Sequence, residues 1–285
     1  LQFNSTVRPS PRQHDRSLPL LFALTWIVAA AAVTAHWPVL TAQARSFDDQ
    51  FPIRDNSLLQ NPGWSSVGRF FTEITRSSVV PGYYRPLTLT SLMLDRAQAS
   101  GPDDFRPFHR TSLALHVGST VLLILLCWQL FANPWAAALV GLLFGTHPLA
   151  VEPIAWLMER KTLLAAFFSI ACLCAFIRYS RANGRFWYAL ALCLYLLALL
   201  SKPTSTPLPL MMLLITHWPL GRLNRRAVLD ILPFFALSAL AAVLTVLCEQ
   251  PVNPLTVPAA TDPLHLPLRI GWLLPFYLAK ILLPV

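Results

Sequence analysis

Between Gly141 and Lys161 the chain holds His147, Glu152, Glu159, Arg160 and Lys161 between two apolar runs, one entering from Trp135 and one leaving through Leu163–Tyr179. Pro148 and Pro153 break any continuous helix there, because proline lacks the amide N–H and clashes with the preceding turn. Ionisable groups this close to hydrocarbon are costly, and by default they mark function. A charged cap between two membrane helices is the plainer account, since interfaces also collect such residues. The flanking runs set the class on either account. With 55% hydrophobic and 12% charged residues, the expected fold is an all-α polytopic membrane protein.

Net charge is +9, yet no basic run tracks a nucleic-acid backbone, so no nucleic-acid partner is expected. Lysine is confined to Lys161, Lys202 and Lys280. Cys127, Cys172, Cys174 and Cys193 lie inside apolar runs and read as small core side chains, not as disulfides or a metal site. The chain begins at Leu1 and stops within an apolar segment at Val285, so it is expected to be a piece of a longer protein, cut before further helices.

Residues 1–17 form a polar N-terminal segment with Arg8, Arg12 and Arg16, and residues 18–285 form the membrane domain. Leu18–Leu40 is long enough to cross roughly 30 Å of hydrocarbon. The loop over residues 41–107 carries Asp48-Asp49, Arg85-Pro86 and Asp95. Its apolar positions (Phe47, Phe51, Trp64, Phe70, Phe71, Leu87, Leu89, Leu92) predict short helices along the membrane surface. Phe108–Phe131 is the second span, with His109 and His116 on one face. Trp135–Thr146 offers about a dozen residues, roughly 18 Å, so a broken helix is expected at His147. Lys161–Ser180, Phe186–Leu200, Thr206–Leu220 and Ala227–Leu247 follow as spans, and Leu268–Val285 begins another.

With the N-terminus in the cytoplasm, three arginine clusters fall on the cytoplasmic side: the N-terminal one, Arg178/Arg181/Arg185 and Arg222/Arg225/Arg226. The loop Glu249–Pro267, which has no Lys or Arg, falls outside, as the positive-inside rule requires. Asp48, Asp49, Arg85, Asp95, His109, His147–Lys161 and Lys202 then share the extracytoplasmic boundary. Cations there suit a phosphate, Arg through a bidentate grip and Lys as a point charge. A carboxylate suits a general base for an acceptor hydroxyl. Together they fit sugar transfer from a lipid-linked phosphate to a protein or glycan acceptor. Arg85, His147, Glu152, Arg160, Lys161 and Lys202 are the candidate donor-binding residues, supported by Asp95 and His109. Each also has a plainer role as loop charge, helix-packing histidine or snorkelling lysine. Two carboxylates and several histidines could also hold a divalent cation, although their spacing specifies none.

Several motifs together carry a family resemblance: Asp48-Asp49, Tyr84-Arg85-Pro86-Leu87, Asp95, His109…His116, His147-Pro148-Leu149…Glu152…Ala155-Trp156…Glu159-Arg160-Lys161, Ser201-Lys202-Pro203 and Trp218-Pro219-Leu220-Gly221-Arg222. Over most of Phe47–Leu223 the chain resembles the membrane half of bacterial tetratricopeptide-repeat membrane proteins. Those are relatives of the transmembrane O-mannosyltransferases, within the GT-C glycosyltransferases. The resemblance implies a GT-C-like bundle in a bacterial inner membrane and a polyprenyl-phosphate sugar as donor. It also implies the acidic pair Asp48 and Asp49 as the catalytic carboxylates, and repeats beyond Val285. Thr162 and Thr216 depart from it, standing where such proteins often have Asp.

A transporter or lipid-binding scaffold, or an inactive relative, is the competing class. A transporter more often shows matched, interrupted helices in two halves and a site near the midplane, whereas here the charges gather at one face. The orientation is testable. In a background without native cysteines, single cysteines at Asn183 and Asn253 should label from opposite sides of the membrane. Labelling of both from one side would overturn it.

Overall fold

The computed structural model describes residues 11–42, 53, 56–73, 84–249 and 265–282. Among them there is no strand, and the chain is an all-α membrane protein. In hydrocarbon every backbone N–H and C=O must be satisfied within the segment, which leaves helices as the natural form of these apolar runs. The first helix, α1 (Pro11–His36), runs on as a 3-10 turn, Trp37–Thr41. The expected interfacial helices are α2 (Ser57–Gln60), α3 (Trp64–Thr72) and α4 (Pro86–Gln98). Then come α5 (Arg106–Phe131), α6 (Pro134–Gly145) and the short α7 (Val151–Ala155). The remaining helices are α8 (Arg160–Ala182), α9 (Arg185–Ser201), α10 (Leu208–His217), α11 (Arg225–Glu249) and α12 (His265–Leu282).

Among the described residues four stretches are long and apolar enough to cross a membrane: Ser17–Thr41, Arg106–Phe131, Leu157–Ala182 and Arg225–Cys248. Helix α10 differs from the span expected over Thr206–Leu220. Its 10 residues reach only about 15 Å, because Pro207 and Pro219 bracket it and neither continues a helix interior. Pro134–Gly145 and Pro148–Ala155 form a bent pair of apolar helices, 54° apart, with the break at the expected place. Asn133 opens the pair, its Oδ1 accepting the N–H groups of Trp135 and Ala136 at 3.1 Å. This is the side-chain cap that an exposed helix start needs.

Helix α8 is the hub. It packs on α5, α9 and α10, and its Cys172–Ile177 segment forms the main core with Tyr195, Met212, Ile231 and Phe234. Cys127, Cys172, Cys174 and Cys193 are free thiols. A second core lies under the first-loop helices, where Leu58, Leu59, Phe70, Leu89 and Leu92 close over Phe105, Phe108 and Leu157. Trp64, 90% exposed, and Phe71, at the surface, stay outside it. Phe47 and Phe51 fall outside the described residues.

The break in α6 is held by close approach and by two buried histidines. Gly141 and Gly145 lie one turn apart on the face turned to α5 and α1, the small-residue spacing that lets membrane helices touch. A Cβ on Gly141 would stand 2.3 Å from Ile124, and one on Gly145 would stand 2.9 Å from Thr120. His36 Nε2 and His116 Nε2 lie 3.0 and 3.1 Å from the Gly145 carbonyl. A carbonyl only accepts, so both rings carry their proton on Nε2. We expect Gly141→Ala to destabilise the protein by about 1–3 kcal/mol through overpacking. Gly68→Ala, where a Cβ meets nothing within 4 Å, should not. Thermal unfolding in detergent reads both, and equal midpoints would refute the tight α5–α6 contact.

Candidate functional site

The site is built where the first-loop helix α4 lies across the ends of α8 and α9. Thr88, Leu92 and Asp95 recur at helical spacing on one face of α4 and are buried. The Thr88 hydroxyl donates to the carbonyl of Ser201 at 3.0 Å, which fixes α4 to the end of α9. Asp95 Oδ2 lies 2.7 Å from Arg160 Nη1, and neither side chain is more than 3% exposed. Thr111 donates to the other Asp95 oxygen at 2.6 Å. Arg160 also donates to Ser91 Oγ at 2.9 Å, to Ser112 Oγ at 3.2 Å and to the Phe108 carbonyl at 2.5 Å. Burial pushes the Asp95 carboxyl up, while the guanidinium and the Thr111 hydroxyl pull it back toward the ionised form.

Arg160 is therefore set apart from its expected place in the donor site. Its guanidinium is enclosed by protein and used on Asp95, two serines and a carbonyl, so no phosphate reaches it in this structure. It positions α4, α5 and α8 instead. His109 is likewise buried, with Nε2 at 3.1 Å from the Ala42 carbonyl, and it fastens the end of the first span to α5.

One residue further along, the chemistry opens to the surface. Lys161 Nζ lies 2.8 Å from Glu159 Oε1 and 5.9 Å from the centre of the Trp156 ring. Lys202 Nζ, arriving from the end of α9, donates to Thr162 Oγ1 at 2.8 Å and lies 3.7 Å from Glu159 Oε2. The Thr162 hydroxyl in turn donates to Glu159 Oε2. Burial pushes the Lys202 ammonium down; Glu159 opposes that shift, and the charges of Lys161 and Arg85 add to it. Among the described residues Lys161 and Lys202 thus share the Glu159 carboxylate, and the charge of Arg85 also acts on Lys202, so an anion placed beside the two ammonium groups would relieve their mutual repulsion.

Below Lys202 a groove of about 310 Å³ runs between α8 and α10. Thr162 and Lys202 head it, and Ala165, Ala166, Leu208 and Met211 line it downward. Glu159 and Thr162 were not predicted site residues. Their signal was the three-residue spacing that stacks them on one turn, visible only once Lys202 is known to arrive there. His147 accepts the Leu149 N–H on Nδ1 at 3.2 Å and caps the turn after the break. Glu152 is exposed on α7. Asp48 and Asp49 lie outside the described residues. Among the described residues no three His, Cys, Asp or Glu side chains converge as a metal site would require.

No protein-family model matches the chain, and no solved structure matches it. Curated relatives do. It is 32% identical over 132 residues to protein O-mannosyl-transferase Tmtc2 of Drosophila melanogaster, covering 44% of this chain and 14% of that protein. It is 28% identical over 190 residues to human protein O-mannosyl-transferase TMTC4, covering 56% and 25%. The mouse TMTC4 match, 26% identical over 265 residues, covers 82% of this chain and 33% of the relative. The chain thus spans a third or less of the length of each of these three proteins.

Removing one partner of a buried ion pair leaves an uncompensated charge, which costs about 3–5 kcal/mol. Arg160→Met and Asp95→Ala should each lower stability on that scale. The double variant should be less destabilised than the sum, because neither charge is then stranded. Additive losses in thermal or denaturant unfolding would show that the pair does not act as a unit.

Proposed function

We propose that this chain is the membrane part of a glycosyltransferase that moves a sugar from a polyprenyl-phosphate donor to a hydroxyl of a protein or glycan, on the extracytoplasmic side. The observation that carries the reading is Lys202 at the head of a largely apolar groove, with Lys161 sharing its Glu159 partner. A lipid-linked phosphate has that shape: an anion for the cations and a branched hydrocarbon tail for Ala165, Ala166, Leu208 and Met211. Distant relatives named O-mannosyl-transferases support the transfer of a sugar.

In this reading the acceptor oxygen attacks the anomeric carbon, and the bond from that carbon to the phosphate oxygen breaks. The acceptor proton passes to a carboxylate, and the polyprenyl phosphate leaves with its new negative charge facing Lys202 and Lys161. Such preorganised cations act where charge develops and need no rearrangement during the step. Thr162 and Glu159 hold the lysines in place. From the family resemblance we assign the base to Asp48 or Asp49, with Asp48 preferred. Neighbouring side chains on an extended segment point to opposite faces, so one of the two serves and the other orients.

The test is donor binding and sugar transfer by the full-length protein. Lys202→Ala should weaken donor affinity roughly ten- to a hundredfold, the loss of a charge-assisted contact, with folding retained. Asp48→Asn should spare donor binding and lower transfer by about 10²–10⁴-fold. Unchanged affinity in the first variant places the phosphate elsewhere. Parent rates in both Asp48→Asn and Asp49→Asn remove the pair from catalysis.

A further inference from the structure

The segment Trp218–Arg222 has no part in the site above, because it lies at the other end of the bundle. Helix α8 has 23 residues, so its two ends stand roughly 33 Å apart. At its far end a cavity of about 520 Å³ opens between α8, the turn after α10 and the start of α11. Tyr179, Arg181, Arg222, Asn224, Arg226 and Asp230 are among its walls. Gly221, at φ +59°, lets the turn fold back over α8. Arg222 donates to the Ser180 carbonyl, and Arg226 donates to Asn183 Oδ1 at 3.3 Å. These partners are neutral oxygens: they fix both guanidinium planes and leave the charges in place. Both arginines are exposed. The one carboxylate in the cavity, Asp230, is engaged by the Tyr179 hydroxyl at 2.7 Å. Asn224 caps α11 through the Ala227 N–H at 2.8 Å, so the positive end of a long helix faces the same space. On the turn and the helix that carry these arginines, Trp218, Leu223 and Leu229 are 68%, 46% and 52% exposed.

We propose that this cavity binds the phosphate of an anionic membrane phospholipid, held by Arg222 and Arg226, in the leaflet at the arginine-rich end. The inference is independent of the sugar-transfer reading. Arginines that only orient a membrane protein need charge; they need neither a cavity nor guanidinium planes fixed by hydrogen bonds. Basic pockets between membrane helices are suited to lipid head groups, and the apolar side chains exposed on the same turn and helix offer contact to acyl chains, which a free phosphate lacks.

The experiment is a titration of the full-length protein in neutral detergent, read by native mass spectrometry, with phosphatidylglycerol, phosphatidylcholine and glycerol phosphate as probes. Saturable binding of phosphatidylglycerol is expected. Arg222→Gln/Arg226→Gln should weaken it by about tenfold or more. Arg222→Lys/Arg226→Lys keeps the charge but loses the bidentate fork and should also weaken it, with membrane orientation unchanged. Equal binding of phosphatidylcholine would overturn the proposal, as would wild-type affinity in either double variant. Equally tight binding of glycerol phosphate would overturn the lipid assignment. Wild-type probe selectivity alone decides the case if the variants do not fold.

Discussion

The buried pair of Asp95 and Arg160 is the contact on which the rest of the candidate site depends. Two charges taken out of water are stable only when matched in geometry and satisfied on their remaining atoms. Here Ser91, Ser112, Thr111 and the Phe108 carbonyl supply those partners. They come from α4 and α5 and converge on the first residue of α8, so the ion pair fixes three elements at once. Lys161 and Thr162 follow Arg160 directly, and their direction is inherited from it. The cationic group at the groove is thus placed by a neighbour that touches no ligand.

A second constraint acts from the side of α6. The close Gly141 and Gly145 contacts and the two imidazole N–H groups on the Gly145 carbonyl stop that helix short of a full crossing. The chain then turns through Pro148–Ala155 and arrives at Glu159 from within the bundle. Non-helical backbone at such depth is tolerated where protein buries it, and Ile154 and Leu157, both fully buried, provide that cover.

Much of this was legible in the sequence, for a physical reason. Apolar runs long enough to cross a bilayer leave the backbone one solution, so α5, α8 and α11 appear close to their expected bounds, while α1 begins at Pro11, ahead of the expected Leu18, and gives way to a 3-10 turn at Trp37. The break at His147 was legible because Pro148 and Pro153 forbid a continuous helix there. What could not be read is which ionisable groups face each other. Arg160 and Lys161 are adjacent and equally basic, yet one is sealed against Asp95 and the other faces outward; a turn of about 100° separates them on a helix. Within the span expected over Thr206–Leu220 the helix is shorter than hydropathy suggests, because prolines bound α10, although the chain still returns to the far end of α8. Thr162, expected only as a departure from a resemblance, became the bridge between Glu159 and Lys202. That role needed the end of α9 to be in place first.

The central claim is that the head of the groove beside Lys202 receives a lipid-linked phosphate. A structure of the full-length protein bound to a polyprenyl phosphate tests it most directly. The account predicts the phosphate within hydrogen-bonding distance of Lys202 Nζ, with the first isoprene units along Ala165, Leu208 and Met211. A phosphate bound away from Lys161 and Lys202, with the groove between α8 and α10 left unfilled, would contradict it.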